Sequence, residues 1–335
     1  MIKKAIIDLG TNTFQLLIVE QDGINYKTIL EESYAAKIGM GGISSGIITE
    51  EGIQRGIKGL QCFQQVFEKE GVTNKNILAT ATSAVRNAKN GDEFCQRVFN
   101  ETNIRIQVIS GDEEATLIYE GVKLGMDIGL EPSMIMDIGG GSVEFIICDK
   151  NRIMYKQSFE IGGQRLMDKF MISDPISPRS IGALRDYLEE QLLPLTNAVH
   201  QYAPVCVIGS AGSFETLIDM FYMKTYGYLP LPKQISFELP LTEFYDSFLK
   251  LVIKNHEERL AIVGMKELRV DMIVVGVCLI DFVLKRFDIQ QIKVSNYALK
   301  EGVLSNLLGR NGKKEVGEWL KVTEEKQMGK RHIEN

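Results

Sequence analysis

Histidine is nearly missing from this chain. Only His200, His256 and His332 occur among 335 residues, and none sits in a motif. That argues against a Ser-His-Asp hydrolase and against a His-ligated metal centre. The five cysteines, Cys62, Cys95, Cys148, Cys206 and Cys278, lie far apart and form no Cys-x-x-Cys pair. A disulfide framework or a zinc site is thereby disfavoured. No apolar run approaches the ~18 residues of a membrane span. At the N-terminus, Lys3, Lys4 and Asp8 interrupt the uncharged stretch that a signal peptide needs. The expectation is a cytoplasmic protein without a membrane partner. Basic excess is lacking too: the net charge is -6, whereas a nucleic-acid binder is usually basic. A polyanionic substrate would have to be attracted by local cations, backbone amides and a metal ion.

What the chain does have is length and apolar content. With 335 residues and 44% hydrophobic residues it is long for one core and predicts two domains. An internal repeat sets their architecture. Ala5-Ile6-Ile7-Asp8-Leu9-Gly10-Thr11-Asn12-Thr13 runs into the apolar segment Phe14 to Val19. Met134-Ile135-Met136-Asp137-Ile138-Gly139-Gly140-Gly141-Ser142 runs likewise into Val143 to Cys148, at a constant offset of 129 residues. Each copy reads as a strand, an Asp-x-Gly turn and a second strand. Two similar lobes facing across a cleft follow.

The remaining pattern alternates strands and helices, which indicates α/β lobes. Strands are expected at 26–30, 76–81, 103–109, 205–208 and 292–294. Helices are expected at 50–69, from Ser110, at 177–202, from Phe214, at 241–255, at 271–287 and at 297–308. The expected division is a first lobe over 1–124, completed by a C-terminal helix over 298–310. A second lobe covers 125–297 and a charged tail 311–335.

Four constellations could carry chemistry. The glycines of the Asp-x-Gly turns let a phosphate approach the backbone, and turn amides can converge on it. Asp8 and Asp137 at the strand ends suit Mg²⁺, which takes oxygen ligands and keeps waters. Taken singly, each turn is equally an ordinary hairpin. In Ser110-Gly111-Asp112-Glu113-Glu114, Ser110 and Glu113 fit a capping box. Glu114, about 100° further round and in line with Ile118, Gly121 and Val122, is left as the better candidate base. Burial would raise its pKa and the helix N-terminus would oppose that. The alternative is a pair of solvated first-turn acids. Arg86 follows a strand and a hydroxyl-rich turn, so it is either a phosphate fork or a surface arginine. Gly209-Ser210-Ala211-Gly212-Ser213 is either an anion-binding turn or an ordinary βα turn with Ser213 as N-cap.

Taken together, these segments resemble the exopolyphosphatase/guanosine pentaphosphate phosphatase family. They do so over roughly residues 3–310 and in family order. Asp8-Leu9-Gly10-Thr11-Asn12-Thr13 is similar to its first phosphate turn, and Asp137-Ile138-Gly139-Gly140-Gly141-Ser142-Val143-Glu144 to its second. Ala81 to Ala88 resembles its arginine segment and Ser110 to Ala115 its glutamate segment. Ile161 to Leu166 and Val294 to Gly302 match more loosely. The resemblance implies two ribonuclease H-like lobes of the actin/hexokinase/Hsp70 superfamily. It implies Glu114 as the base that activates water, Arg86 on phosphate, and Asp8, Asp137 and Glu144 around a metal. The amides of Thr11, Asn12, Thr13, Gly140, Gly141 and Ser142 would line the phosphate pocket. It further implies Mg²⁺, with Mn²⁺ as the alternative, polyphosphate or pppGpp as substrate, and a homodimer. Thr116 and Lys300 stand where arginine is usual, and Gly163-Gln164 replaces Ala-Val. The chain resembles the short, two-domain form. A kinase of the same superfamily and a non-catalytic sensor of (p)ppGpp or polyphosphate share the Asp-x-Gly repeat and remain the alternatives.

Overall fold

A computed structural model describes residues 2–309. The tail assigned to 311–335 and the last residue of the helix assigned to 298–310 lie outside them. The first lobe runs β1 (Ile2–Leu9), β2 (Phe14–Asp22), β3 (Asn25–Tyr34), α1 (Glu50–Glu70), β4 (Ile77–Ala81), α2 (Ser83–Arg86), α3 (Gly91–Thr102), β5 (Ile106–Val108) and α4 (Gly111–Gly125). The second begins with β6 (Ser133–Ile138), β7 (Val143–Cys148), β8 (Ile153–Phe159), α5 (Gly163–Phe170), α6 (Pro178–Gln191), α7 (Leu193–Tyr202) and β9 (Cys206–Ser210). It continues with α8 (Ala211–Tyr226), β10 (Ser236–Leu239), α9 (Leu241–Ile253), α10 (His256–Leu260), α11 (Met272–Arg286) and β11 (Ile292–Ser295); α12 (Leu299–Leu307) follows.

The sheets have matching orders, β3-β2-β1-β4-β5 and β8-β7-β6-β9-β11, with β10 added at the end of the second. In each, a three-stranded antiparallel meander is joined by a parallel strand on its far side. The registers repeat as well. Asp8 lies opposite Gln15 and Thr80, and Asp137 opposite Glu144 and Ser210.

Strand parity then places the cores. On β1 and β2, Ala5, Ile7, Leu9, Phe14 and Leu16 face α1 and α3, whereas Ile6, Leu17 and Val19 face the other way. On β6 and β7, Met134, Met136, Val143 and Phe145 face the helices of the second lobe, including α11. Ile135, Ile146 and Cys148 face back toward the first sheet. A third core fills the space between the sheets, with α4 and α12 inside it. The same parity turns Asp8, Gln15, Asp137 and Glu144 to this interlobe side.

Two expectations need correction. The helix expected over 177–202 is two, α6 and α7, broken at Leu192. Pro194 fits the first turn of α7, where its missing N–H costs nothing, but not the interior of one long helix. Ser213 does not cap α8; Ser210 holds the N-cap position, and its hydroxyl goes elsewhere.

Helices α4 and α12 touch through glycine on both sides. A Cβ at Gly121 would lie 1.8 Å from the carbonyl oxygen of Ala298, and one at Gly302 would lie 1.8 Å from that of Leu117. Backbone cannot retreat as a flexible side chain can. Gly302→Ala should therefore lower the unfolding free energy by about 1–3 kcal/mol, read from urea melts. A change within about 0.5 kcal/mol would mean that the two helices are not held this tightly.

Candidate functional site

The two Asp-x-Gly turns close in the same way, Gly10 N–H donating to Thr13 O at 3.2 Å and Gly139 N–H to Ser142 O at 3.0 Å. They also meet across the cleft. A Cβ on Gly140 would lie 2.9 Å from Thr11 Cβ, and one on Gly141 would lie 2.6 Å from Ser83 Oγ and 2.8 Å from Thr11 Oγ1. Only glycine fits here. Among the described residues, the amides of Thr11, Asn12, Gly140 and Gly141 donate to no other backbone group. Together with Thr13 and Ser142 they line one cleft with Asp8, Glu114 and Asp137. Unspent amides on facing turns form an anion-accepting concavity.

Helix α4 delivers Glu114. Ser110 accepts from Glu113 N–H at 3.2 Å, and Glu113 Oε2 accepts from Ser110 N–H at 2.9 Å, so Glu113 is spent on the cap. Glu114 points inward and is 6% exposed. Arg86 Nη1 donates to Glu114 Oε2 at 2.7 Å and to Ile109 O at 3.2 Å. Burial raises the Glu114 pKa to about 7, against the pull of Arg86 and with help from Asp137 and Glu160. Burial also opposes the charge of Arg86, but Glu114 outweighs it and the guanidinium pKa rises. Arg86 does not line the cleft; it lies behind Glu114.

The carboxylates crowd one another. Burial lifts Asp8 to about 8, with repulsion from Glu114 and Asp137 added and Lys300 opposing. Its Oδ1 is buried without a hydrogen-bond partner. Asp137 is lifted to about 6 by burial, and the Ser210 hydroxyl it accepts from holds it down. Burial, then Glu114 and Asp137, push Glu144 well above the usual carboxylate range. Glu144 stands one strand back, accepts from Ser158 Oγ at 2.6 Å and does not line the cleft. Among the described residues no group of three or more His, Cys, Asp or Glu is placed to hold a metal ion. Of the three residues expected around a metal, Asp8 and Asp137 line the cleft and Glu144 does not.

Cations enter as well, Arg269 from a segment that no sequence pattern marked and Lys300 from the loosely matching Val294 to Gly302 segment. Arg269 lines the cleft, with its guanidinium 2.2 Å from where a Cβ on Gly212 would sit, and burial lowers its pKa. Lys300, at the start of α12, also lines the cleft; its Nζ lies 2.6 Å from Glu301 Oε1 and 3.6 Å from Glu31. Burial opposes its charge, but Glu301 and Glu31 outweigh that and raise its pKa. So the lysine that replaces an arginine keeps a cation at the site. Near Thr116, Lys156 Nζ donates to Thr116 Oγ1 at 2.6 Å and pairs with Asp112 at 2.8 Å, so a cation stands there too. The N-terminal turns of both α4 and α12 border the cleft through Glu114 and through Leu299 to Glu301, adding positive dipole ends.

Two mixed α/β lobes, each ending its central strand in an Asp-x-Gly turn over a shared cleft, make this a two-lobed actin-like fold equipped to hold phosphate. The Ppx/GppA phosphatase family model matches residues 17–311, and the chain belongs to that family. An exopolyphosphatase from Cytophaga hutchinsonii superposes with a TM-score of 0.89 at 43% identity, covering 93% of this chain and 99% of that one. A Ppx/GppA family member from Aquifex aeolicus gives a TM-score of 0.74 at 25% identity, covering 92% and 99%. A bifunctional 3-dehydroquinate synthase/phosphatase of Fusobacterium nucleatum is 31% identical over 315 residues. That match takes 90% of this chain but 46% of the relative, so this chain spans less than half of its length.

The two neighbouring glutamates should separate experimentally. Glu113→Gln should cost about 1 kcal/mol or less in a urea melt and leave any phosphatase activity within about twofold. Loss of activity in a folded Glu113→Gln protein would reverse the assignment of cap and inward-facing carboxylate.

Proposed function

We propose that this chain releases terminal orthophosphate from inorganic polyphosphate, pppGpp or both, by in-line attack of a water that Glu114 activates. The observation that carries this reading is the buried Glu114, held by Arg86, at a helix N-terminus beside two facing turns of free amides. A carboxylate with its pKa near 7 can accept a proton at neutral pH and return it later.

The turn amides would receive the oxygens of the terminal phosphoryl group, and Lys300 and Arg269 would offset the charge of the chain. Glu114 would orient the water and take its proton. The water oxygen then forms the new bond to phosphorus, the bridging P–O bond breaks, and its electron pair leaves with the shortened chain. Positioning and charge stabilisation would supply most of the barrier reduction. Asp8 and Asp137 fit a hard dication, because burial raises the pKa of both, Asp137 adds to that at Asp8, and Asp8 Oδ1 lacks a partner. When bound there, Mg²⁺ or Mn²⁺ would neutralise phosphoryl charge, with phosphate oxygens and waters completing its shell. In this reading Glu144 supports Ser158 and the back of the site rather than the ion.

The deciding assay follows orthophosphate release with Mg²⁺ from long-chain polyphosphate, pppGpp and ATP. Release from polyphosphate or pppGpp, abolished by EDTA, is expected. Consumption of ATP only with an added acceptor would favour the kinase, and tight binding without release would favour the sensor. Glu114→Gln should lower kcat by about 10²–10⁴ with KM nearly unchanged; a loss below tenfold would remove Glu114 from the role of base. Because the unprotonated carboxylate is the active form and this pKa belongs to the unliganded site, kcat/KM should climb with pH through about 7 and then level. A pH profile flat between about 5.5 and 8.5 would contradict this, since a base with that pKa must titrate inside the interval.

A further inference from the structure

Beside the cleft, Glu160 is one of the groups that tie the lobes together. Glu160, in the segment between β8 and α5, reaches the first lobe. Its Oε2 accepts from Ser83 Oγ at 2.9 Å and from Arg165 Nη2 at 2.9 Å, and its Oε1 lies 3.7 Å from Arg86 Nη2. The remaining donors of Arg165 are fixed by carbonyls, Nε on Gly141 O at 2.9 Å and Nη1 on Ile43 O at 3.0 Å. Ser83 is 1% exposed and also lines the phosphate cleft, where it sits against Gly141. Glu160 itself is the mobile-looking partner by exposure, with 44% of its side chain open to solvent.

Two guanidinium groups and a buried hydroxyl converging on one point are what a tetrahedral oxyanion requires. A carboxylate holding all three is an internal anion in that place. We propose that Arg86, Arg165 and Ser83 form a phosphate oxyanion site bordering the cleft, and that Glu160 occupies it as a displaceable stand-in. Arg165 is pinned by backbone on two sides, so it cannot follow Glu160 away and stays to receive the incoming anion. Ser83 also lines the cleft, so the two places adjoin at its hydroxyl. The ligand class is orthophosphate or the end of a phosphate chain. The inference deepens the hydrolase reading by adding a place for phosphate beside the reacting position. It also predicts competition between Glu160 and phosphate for the same donors.

The test measures equilibrium binding rather than turnover, so an inactive enzyme would not mask it. Orthophosphate and, separately, tripolyphosphate are titrated calorimetrically into the full chain without metal, as wild type, Glu160→Gln and Glu160→Gln/Arg165→Ala. Removing the competing charge should tighten orthophosphate binding at least about fivefold in Glu160→Gln, and the double variant should lose that gain. Tightening for orthophosphate alone assigns the site to the released product. Tightening for both ligands assigns it to the substrate chain as well. Should Glu160→Gln fail to fold, Glu160→Asp keeps the charge but falls a methylene short, and should also bind phosphate more tightly than wild type. Unchanged or weaker phosphate binding in the folded Glu160 variant overturns the proposal, as does a gain that survives loss of Arg165.

Discussion

The contact between Gly121 and Gly302 is the constraint on which the rest depends. It lets α4 and α12 approach until backbone meets backbone, and the pair then fits between two sheets as a single spacer. Both helices begin at the cleft. One presents Glu114 and the other Lys300 and Glu301, so the spacing of these charged groups is set by helix packing rather than by loops. The sheets on either side are held at the distance that brings Gly140 and Gly141 against Thr11 and Ser83. Any residue larger than glycine at the helix contact would shift Glu114, about two turns from Gly121, against Lys300, within a turn of Gly302.

Electrostatics at the site runs against folding. Asp8, Glu114, Asp137 and Glu144 share a water-poor space, and burial is the leading cause of the raised pKa of each. Only Glu114 has an arginine in direct contact. Isolated buried charges of this kind are costly, and they take a proton or a cation to relieve them. In the proposed reading, a phosphate with its counterion would supply positive charge to the aspartates and an acceptor for the idle amides. This is a functional compromise of the sort that local folding rules do not produce by themselves.

How much of this was legible in the sequence depends on distance along the chain. The Asp-x-Gly repeat and the Ser110–Glu113 cap are local patterns, and both appear as hydrogen-bonded units. The repeat carries more than was read from it, since β8 stands to the second lobe as β3 does to the first. Pro194 marks the break between α6 and α7 for a reader who weighs its missing N–H. By contrast, Ser213 was one candidate cap, and the pairing of Ser210 with Asp137, 73 residues apart, is not visible locally. Arg86 reaches Glu114 over 28 residues of chain and so lies behind the base instead of in the cleft. Arg269 and Glu160 sit in no local pattern, because their partners come from other elements and only tertiary structure assembles them.

The position of α12 also bears on how the molecule is made. Leu299, Val303 and Leu304 cover the face of the first sheet formed by Ile6, Leu17 and Val19, yet they are nearly the last described residues. At roughly 5–20 residues per second of synthesis, that face waits on the order of 15–60 s for its cover. During this interval the nascent first lobe is a half-sandwich with one greasy side. It follows that lobe-by-lobe folding on the ribosome cannot finish the first lobe first.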